Sequence, residues 1–425
     1  MKQTIFYAGI AAAWLGIFAA DSKSVAAMRA EEQVVTDSGA APTIAVDSES
    51  GVLYAAWIGK QDGRNQAFVA RSEDGKSFAS PLVVSAQDQQ IASSAVSPAQ
   101  VTIGTRNQVY VVYEQRIPSA VFDRGRGVVR LAHSTDGGRS FAPAIDVSDG
   151  DGVETSAESP ALLIEANGTV LIAWLDHREE LARAALPENQ RPEDKRWLDS
   201  DDPVVSVRLA KSFDGAQSFA PSVVLAEGAS EHSRVALKSG PGGTLYAAWR
   251  AKLNQFKGSY DAVRDVVVAI SRDRGHSWST PLKVHDDRFK AGDCPEITLG
   301  MDTDSRGRLH LAWYTGTSLR PGVYYARSDD GKNFTEPVRL LVGDWVPYAD
   351  AKLAVDQSDR AWVAFEDRRQ EQLERVILTR INARGQIIES QSWSGRDPDL
   401  IASRQGIRLL RVDEKGAVRM LSIAE

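Results

Sequence analysis

One short turn, repeated five times, limits this chain to a narrow set of architectures. Its clearest copy is Ser134-Thr-Asp-Gly-Gly-Arg-Ser-Phe141, and others begin at Ser72, Ser212, Ser271 and Ser328. Each places an Asp two residues after the Ser: Asp74, Asp136, Asp214, Asp273 and Asp330. Gly, a small polar residue and a closing Phe or Trp follow. An Asp carboxylate accepts bonds from backbone N–H groups inside a tight turn, and Gly adopts angles that other residues avoid. The aromatic packs back between the strands that the turn joins. These five Asp residues are therefore expected to be structural. Recurrence every 57 to 78 residues along 425 residues indicates one repeat array rather than two or three unrelated domains.

Two further features bracket each turn. Upstream lies a short apolar strand opened by Pro, as in Ala41-Pro42, Ser97-Pro98, Ser159-Pro160, Cys294-Pro295 and Asp397-Pro398. Ser233-Arg234 and the stretch from Tyr348 occupy the same place without Pro. A second strand then ends in an aromatic: Trp57, Tyr113, Trp174, Trp249, Trp313 and Phe365. A third strand leads into the turn, and a fourth leaves it. Four short strands per unit predict an all-β fold, a β-propeller of four-stranded blades. The expected blades are 42–85, 97–148, 159–226, 233–285, 294–342, 348–392 and 397–423. The last has length for only three strands, and residues 32–36 supply its fourth, closing the ring. A six-bladed ring with a C-terminal extension is the alternative.

Strands alternate in direction within a blade. The turns after the third strands therefore lie on one face, and the links from second to third strand lie on the other. The long, varied links are of the latter kind: 114–127, the highly charged 176–203 with its helical start, and 250–264. Long loops on one rim of a rigid scaffold are where binding or catalysis is expected.

Composition narrows the partners. A formal charge of −7 argues against nucleic acid. The single cysteine, Cys294, permits no intrachain disulfide, and with six scattered His it gives no metal-ligand spacing. No metal or cofactor is expected. Residues 1–27 carry Lys2, an apolar run and small residues, the layout of a cleaved export signal. The run is too short for a stable membrane span. A periplasmic or secreted protein is the expectation.

Second-strand exits also share a pattern: Glu114-Gln-Arg116, Asp176-His-Arg178 and Glu366-Asp-Arg368, with Arg250 after Trp249 and Arg64 beyond Trp57. Arg234 replaces Pro on a first strand and is read either as facing the pore or as a rim salt bridge. These six arginines are the candidate ligand-binding residues, suited to a carboxylate, sulfate or phosphate. The competing reading pairs each Arg with the acid two residues earlier, or with the next blade, and locks the ring.

The five turns match the Asp-box, or bacterial neuraminidase repeat, so the chain resembles the sialidase-like β-propeller superfamily, as an exported bacterial member. Arg116-Ile117-Pro118 is similar to the Arg-Ile-Pro string of those enzymes, although it falls on a second strand. The resemblance implies a site opposite the boxes, with arginines clamping an acidic sugar, an Asp acid/base and a Tyr nucleophile helped by Glu. Carried over, Asp176 or Glu366 is the candidate acid/base and Tyr314 the candidate nucleophile. Three functions stay open: binding of a glycan, acidic ligand or partner protein; exo-glycosidase cleavage of terminal acidic sugars; and periplasmic assembly.

Overall fold

The computed structural model describes residues 28–424 apart from 124, 149–153, 191–204, 232, 254–262, 291–298, 318–319, 344 and 371–372. Cys294, residues 191–203 of the charged 176–203 link and the expected export segment 1–27 lie outside the described residues.

Seven antiparallel sheets form a seven-bladed propeller. Six blades follow one another along the chain, at 40–83, 100–146, 157–227, 236–283, 299–342 and 352–394. The seventh combines Arg396–Ser403, Gly406–Val412 and Val418–Ile423 with the N-terminal strand Ala30–Thr36. Ring closure through the N-terminal strand is therefore present, and the six-bladed alternative is not. It removes the sheet edge that Val418–Ile423 would otherwise expose. Blade 2 differs in carrying a fifth short strand, Gln90–Ile91, paired to the exit of its second strand.

The core is divided among the blade interfaces. Seven apolar clusters occur, each mixing residues of two adjacent blades. Trp57, Tyr113, Trp174, Trp249, Trp313 and Phe365 are all at most 2% exposed, so the aromatic that ends each second strand is a packing wedge. First strands line the centre, whereas fourth strands such as Leu82–Val83 and Val223–Glu227 face outward and are exposed.

Each Ser-x-Asp turn satisfies its own backbone. Asp136 accepts the Arg139 and Ser140 amides at 2.9 and 3.0 Å and both the Ser134 and Ser140 hydroxyls. Asp74, Asp214, Asp273 and Asp330 repeat the arrangement. These bonds, chiefly to the following Ser or Asn, hold all five carboxyls well below the usual carboxylate range.

Inner strands are tied around the centre by side chains. The Thr43 hydroxyl donates to Ala99 O at 2.7 Å, Gln100 donates to Pro160 O at 2.9 Å, and Asp399 accepts the Ile44 amide at 2.8 Å. Three residues that precede Pro, namely Ala41, Ser159 and Asp397, sit at φ near +50°, where non-glycine backbone is costly. Each amide is held by a carboxylate: Asp397 on Ala41, Glu114 on Ser159 and Glu366 on Asp397, at 3.0 to 3.2 Å.

Candidate functional site

The links from second to third strand and from fourth to first strand share one rim, and three groups of polar residues gather there. At the centre is a cavity of about 230 Å³ to which all seven blades contribute. Its charged lining comes from three of them: Arg234 of blade 4, Asp350 and Lys352 of blade 6, and Asp399 of blade 7. Arg234 reaches the Asp350 carboxylate at 2.9 Å, and Lys352 lies 3.6 Å from Asp399. Burial, reinforced by the Arg234 charge, pushes the Lys352 ammonium down. Burial likewise pushes the Asp399 carboxyl up, against the pull of Lys352. Arg234 thus occupies the pore, where its place on the first strand puts it.

The acid-x-Arg pattern at the exits resolves into two devices on opposite faces of the blade. An acid one residue past the aromatic (Glu114, Glu366) bonds the strained amide of the next blade. An acid two residues past it (Asp176, Asp367) grips the Arg two residues later. Arg178 Nε and Nη2 lie 2.7 and 2.9 Å from the two Asp176 oxygens. Arg369 repeats this on Asp367 at 2.8 and 3.0 Å. The expected pairing of Arg368 with Glu366 therefore gives way to Asp367 with Arg369, because a one-residue step along a strand turns a side chain to the other face. Arg368 instead meets Glu374 at 2.9 Å and lies 3.8 Å from the centre of the Tyr348 ring.

Between blades 2 and 3, Arg116 bridges Glu114 at 2.7 Å and Glu158 at 2.9 Å. Beside them the helix Arg178–Ala184 starts at His177, and Glu180 in its first turn reaches back to His177 Nδ1 at 3.1 Å. His177 is 4% exposed, and its Nε2 has no hydrogen-bond partner among the described residues. Burial alone would lower this imidazole. The Glu180 bond and the Glu158, Glu180 and Asp176 charges outweigh it and lift it to about 9. The Glu180, Glu158 and Asp176 carboxylates supply the negative charge that holds the proton. The scattered-His reading of the sequence missed this group, since Glu158 is contributed by another strand.

The remaining candidates stand apart. Arg250 is fully buried, donates to the carbonyls of Arg264 and Tyr314 at 2.6 and 2.8 Å, and lies over Phe289. Burial, opposed by Asp287 and Asp265, takes it down to about 10, so it stays charged at neutral pH. Tyr314 is 3% exposed and wedged edge-on between Phe289 and Trp345. Asp176 is 1% exposed and additionally accepts Trp174 Nε1 at 2.9 Å; the Arg178 and Trp174 bonds outweigh burial and lower it. Glu366 is also 1% exposed and is raised by burial. Asp176, Tyr314 and Glu366 lie on three different blades, 3, 5 and 6. Arg64 is exposed and donates to Gln87 O at 3.3 Å, away from the others.

Among the described residues no group of His, Cys, Asp and Glu is arranged to hold a metal, and no helix is long and apolar enough to cross a membrane. No family model matches the sequence, and no curated protein matches it. Solved structures do share the fold. An ulvan lyase bound to -[GlcA(1-4)Rha3S]- aligns at TM-score 0.56 and 11% identity, over 93% of this chain and 96% of that one. The polysaccharide lyase Uly1 aligns at 0.56 and 12%, over 94% and 99%. Sialidases are among the neighbours too, for example the Hadza microbial sialidase Hz136 at 0.48 and 13%, over 89% and 74%. At such identities the likeness is one of fold.

Proposed function

We propose that this propeller binds an acidic glycan on the rim opposite the Ser-x-Asp turns, holding the acidic group at the central cavity. One observation carries the reading: Arg234 and Lys352, from different blades, converge on that cavity. A guanidinium gives a planar pair of donors and an ammonium a compact charge, which together suit a carboxylate or sulfate. Asp350 and Asp399 orient the two cations. Burial disfavours both charges, raising Asp399 and lowering Lys352, and an entering anion favours the charged ammonium. The fold neighbour holding a glucuronate–rhamnose-sulfate chain supports this ligand class. The N-terminal run of residues 1–27 supports an exported protein that meets such a glycan outside the cytoplasm. Binding is preferred to glycosidase action because Asp176, Glu366 and Tyr314 lie beneath the surface, held by neighbouring groups of the protein.

Calorimetry with a GlcA(1-4)Rha3S disaccharide tests the reading. Binding is expected to weaken with added salt. It should fall about tenfold or more in Arg234→Ala and in Lys352→Met, as for loss of a charge-assisted bond. A wild-type protein that ignores the disaccharide, or variants that bind it equally well, would refute the proposal. Turnover abolished by Tyr314→Phe would establish the glycosidase reading instead.

A further inference from the structure

We infer that Tyr348 is a stacking platform for a second sugar ring, next to the charged cavity, so that the preferred ligand is at least a disaccharide. This rests on the acidic-glycan reading above and adds a subsite to it.

Only two aromatic side chains among the described residues are largely exposed, Phe213 at 69% and Tyr348 at 63%. Phe213 belongs to a Ser-x-Asp turn on the far face. Tyr348 lies on the rim, in the link from fourth to first strand that enters blade 6. Two residues later comes Asp350, partner of Arg234 in the cavity, so the two Cα atoms are at most about 7 Å apart.

The ring is exposed but not loosely hung. Its backbone N–H donates to Glu366 Oε2 at 2.8 Å, and that carboxylate is buried and also holds the first strand of blade 7 through Asp397. Arg368 lies over the ring with its guanidinium carbon 3.8 Å from the centroid, and Glu374 fixes that guanidinium at 2.9 Å. One face of the ring is therefore occupied by a cation. With Arg368 on one face, the ring's other face is the one left for a ligand. Nearby in the chain Val346 is 53% exposed, and Trp345 is buried against Tyr314.

An aromatic face fixed in this way attracts the patch of C–H groups on one side of a pyranose ring. Arg368 covers one face and lowers the ring's pull on further positive charge, so the stack on the other face rests on apolar contact with the C–H side of the sugar. Pre-organisation limits the ordering cost of binding. The geometry thus assigns two adjoining places: a cavity for the acidic group, and Tyr348 for the neighbouring sugar. Glu366 and Arg368, singled out in the sequence as acid/base and ligand-binding candidates, act here as positioning residues.

The test uses the full-length protein, three variants and three probes: glucuronic acid, the GlcA(1-4)Rha3S disaccharide and a neutral disaccharide. Tyr348→Ala should weaken the acidic disaccharide about fivefold to tenfold, the range of a single aromatic contact, and leave glucuronic acid unchanged. Tyr348→Phe should bind both as the wild type does, and Arg234→Ala should lose both. Equal affinity of Tyr348→Ala and wild type for the disaccharide overturns the platform. So does an equal loss for monosaccharide and disaccharide, which would mean that Tyr348 only supports the cavity. If the wild type binds only the neutral disaccharide and Tyr348→Ala does not, the platform stands and the acidic reading falls. If no probe binds, both fall.

Discussion

The charge on His177 offers a quantitative test of how the blade 2–3 rim is held together. In the unfolded chain this imidazole titrates near 6.5; in the folded protein it is lifted to about 9. Below 6.5 both states carry the proton, and the full stabilisation is present. Between 6.5 and about 9 the folded state binds a proton that the unfolded state has lost, so stability declines by about 1.4 kcal/mol per pH unit. Above 9 neither state holds it, and the contribution is gone. The total is roughly 3 kcal/mol. At about 2.1 cal/mol/K per residue over some 400 residues, that is a change in Tm of about 4 °C. Urea unfolding of wild type and His177→Gln from pH 6 to 9.5 isolates this group from every other titration. The wild-type advantage should shrink by roughly 3 kcal/mol across that window. An NMR titration of the His177 ring provides a reading that does not depend on the variant folding well. Parallel stability curves, or a ring that titrates below 7, would refute the assignment of a buried imidazolium.

Four other expectations can be checked directly. Glu366→Gln leaves the Tyr348 and Asp397 amides competing for one carbonyl, which costs about 1–3 kcal/mol; relief of a buried charge offsets part of this, and denaturant midpoints would measure it. Asp136→Ala should lower Tm while leaving glycan affinity unchanged, since its bonds lie on the opposite face; a specific loss of binding would mean that the faces are misassigned. Deleting residues 28–36 should open the ring and expose the Val418–Ile423 edge, giving a less cooperative, aggregation-prone protein by light scattering. Glycan affinity should fall as pH rises through the lowered Lys352 titration, because the neutral amine no longer attracts the anion; a pH-independent Kd would contradict this.

The exits of the second strands show why function was harder to read than fold. Glu114, Asp176 and Glu366 look equivalent in sequence, yet the aromatic before them sets a register that separates them by one position. Glu114 and Glu366 bond the next blade's backbone, Glu114 also holding its own Arg116, whereas Asp176 grips Arg178. Tyr348 was visible only as a first-strand opener lacking Pro, and nothing local distinguishes an exposed aromatic from a packed one. His177 looked like one histidine of six.

What the sequence determined by itself is what depends on a few neighbouring residues. The Ser-x-Asp turns close their own hydrogen bonds, the alternating strands declare their two faces, and the wedge aromatics recur at each second-strand end. Those local rules, repeated, favour a closed ring and single out residues 32–36, within the strand Ala30–Thr36, as the segment that completes it. Tertiary structure alone decided which charges meet. Arg234 and Asp350 are 116 residues apart and come together only because seven interfaces, each buried between two blades, set the radius of the central cavity. The protonation of His177 likewise depends on carboxylates from separate strands, whose fields act through space and leave no periodic trace along the chain.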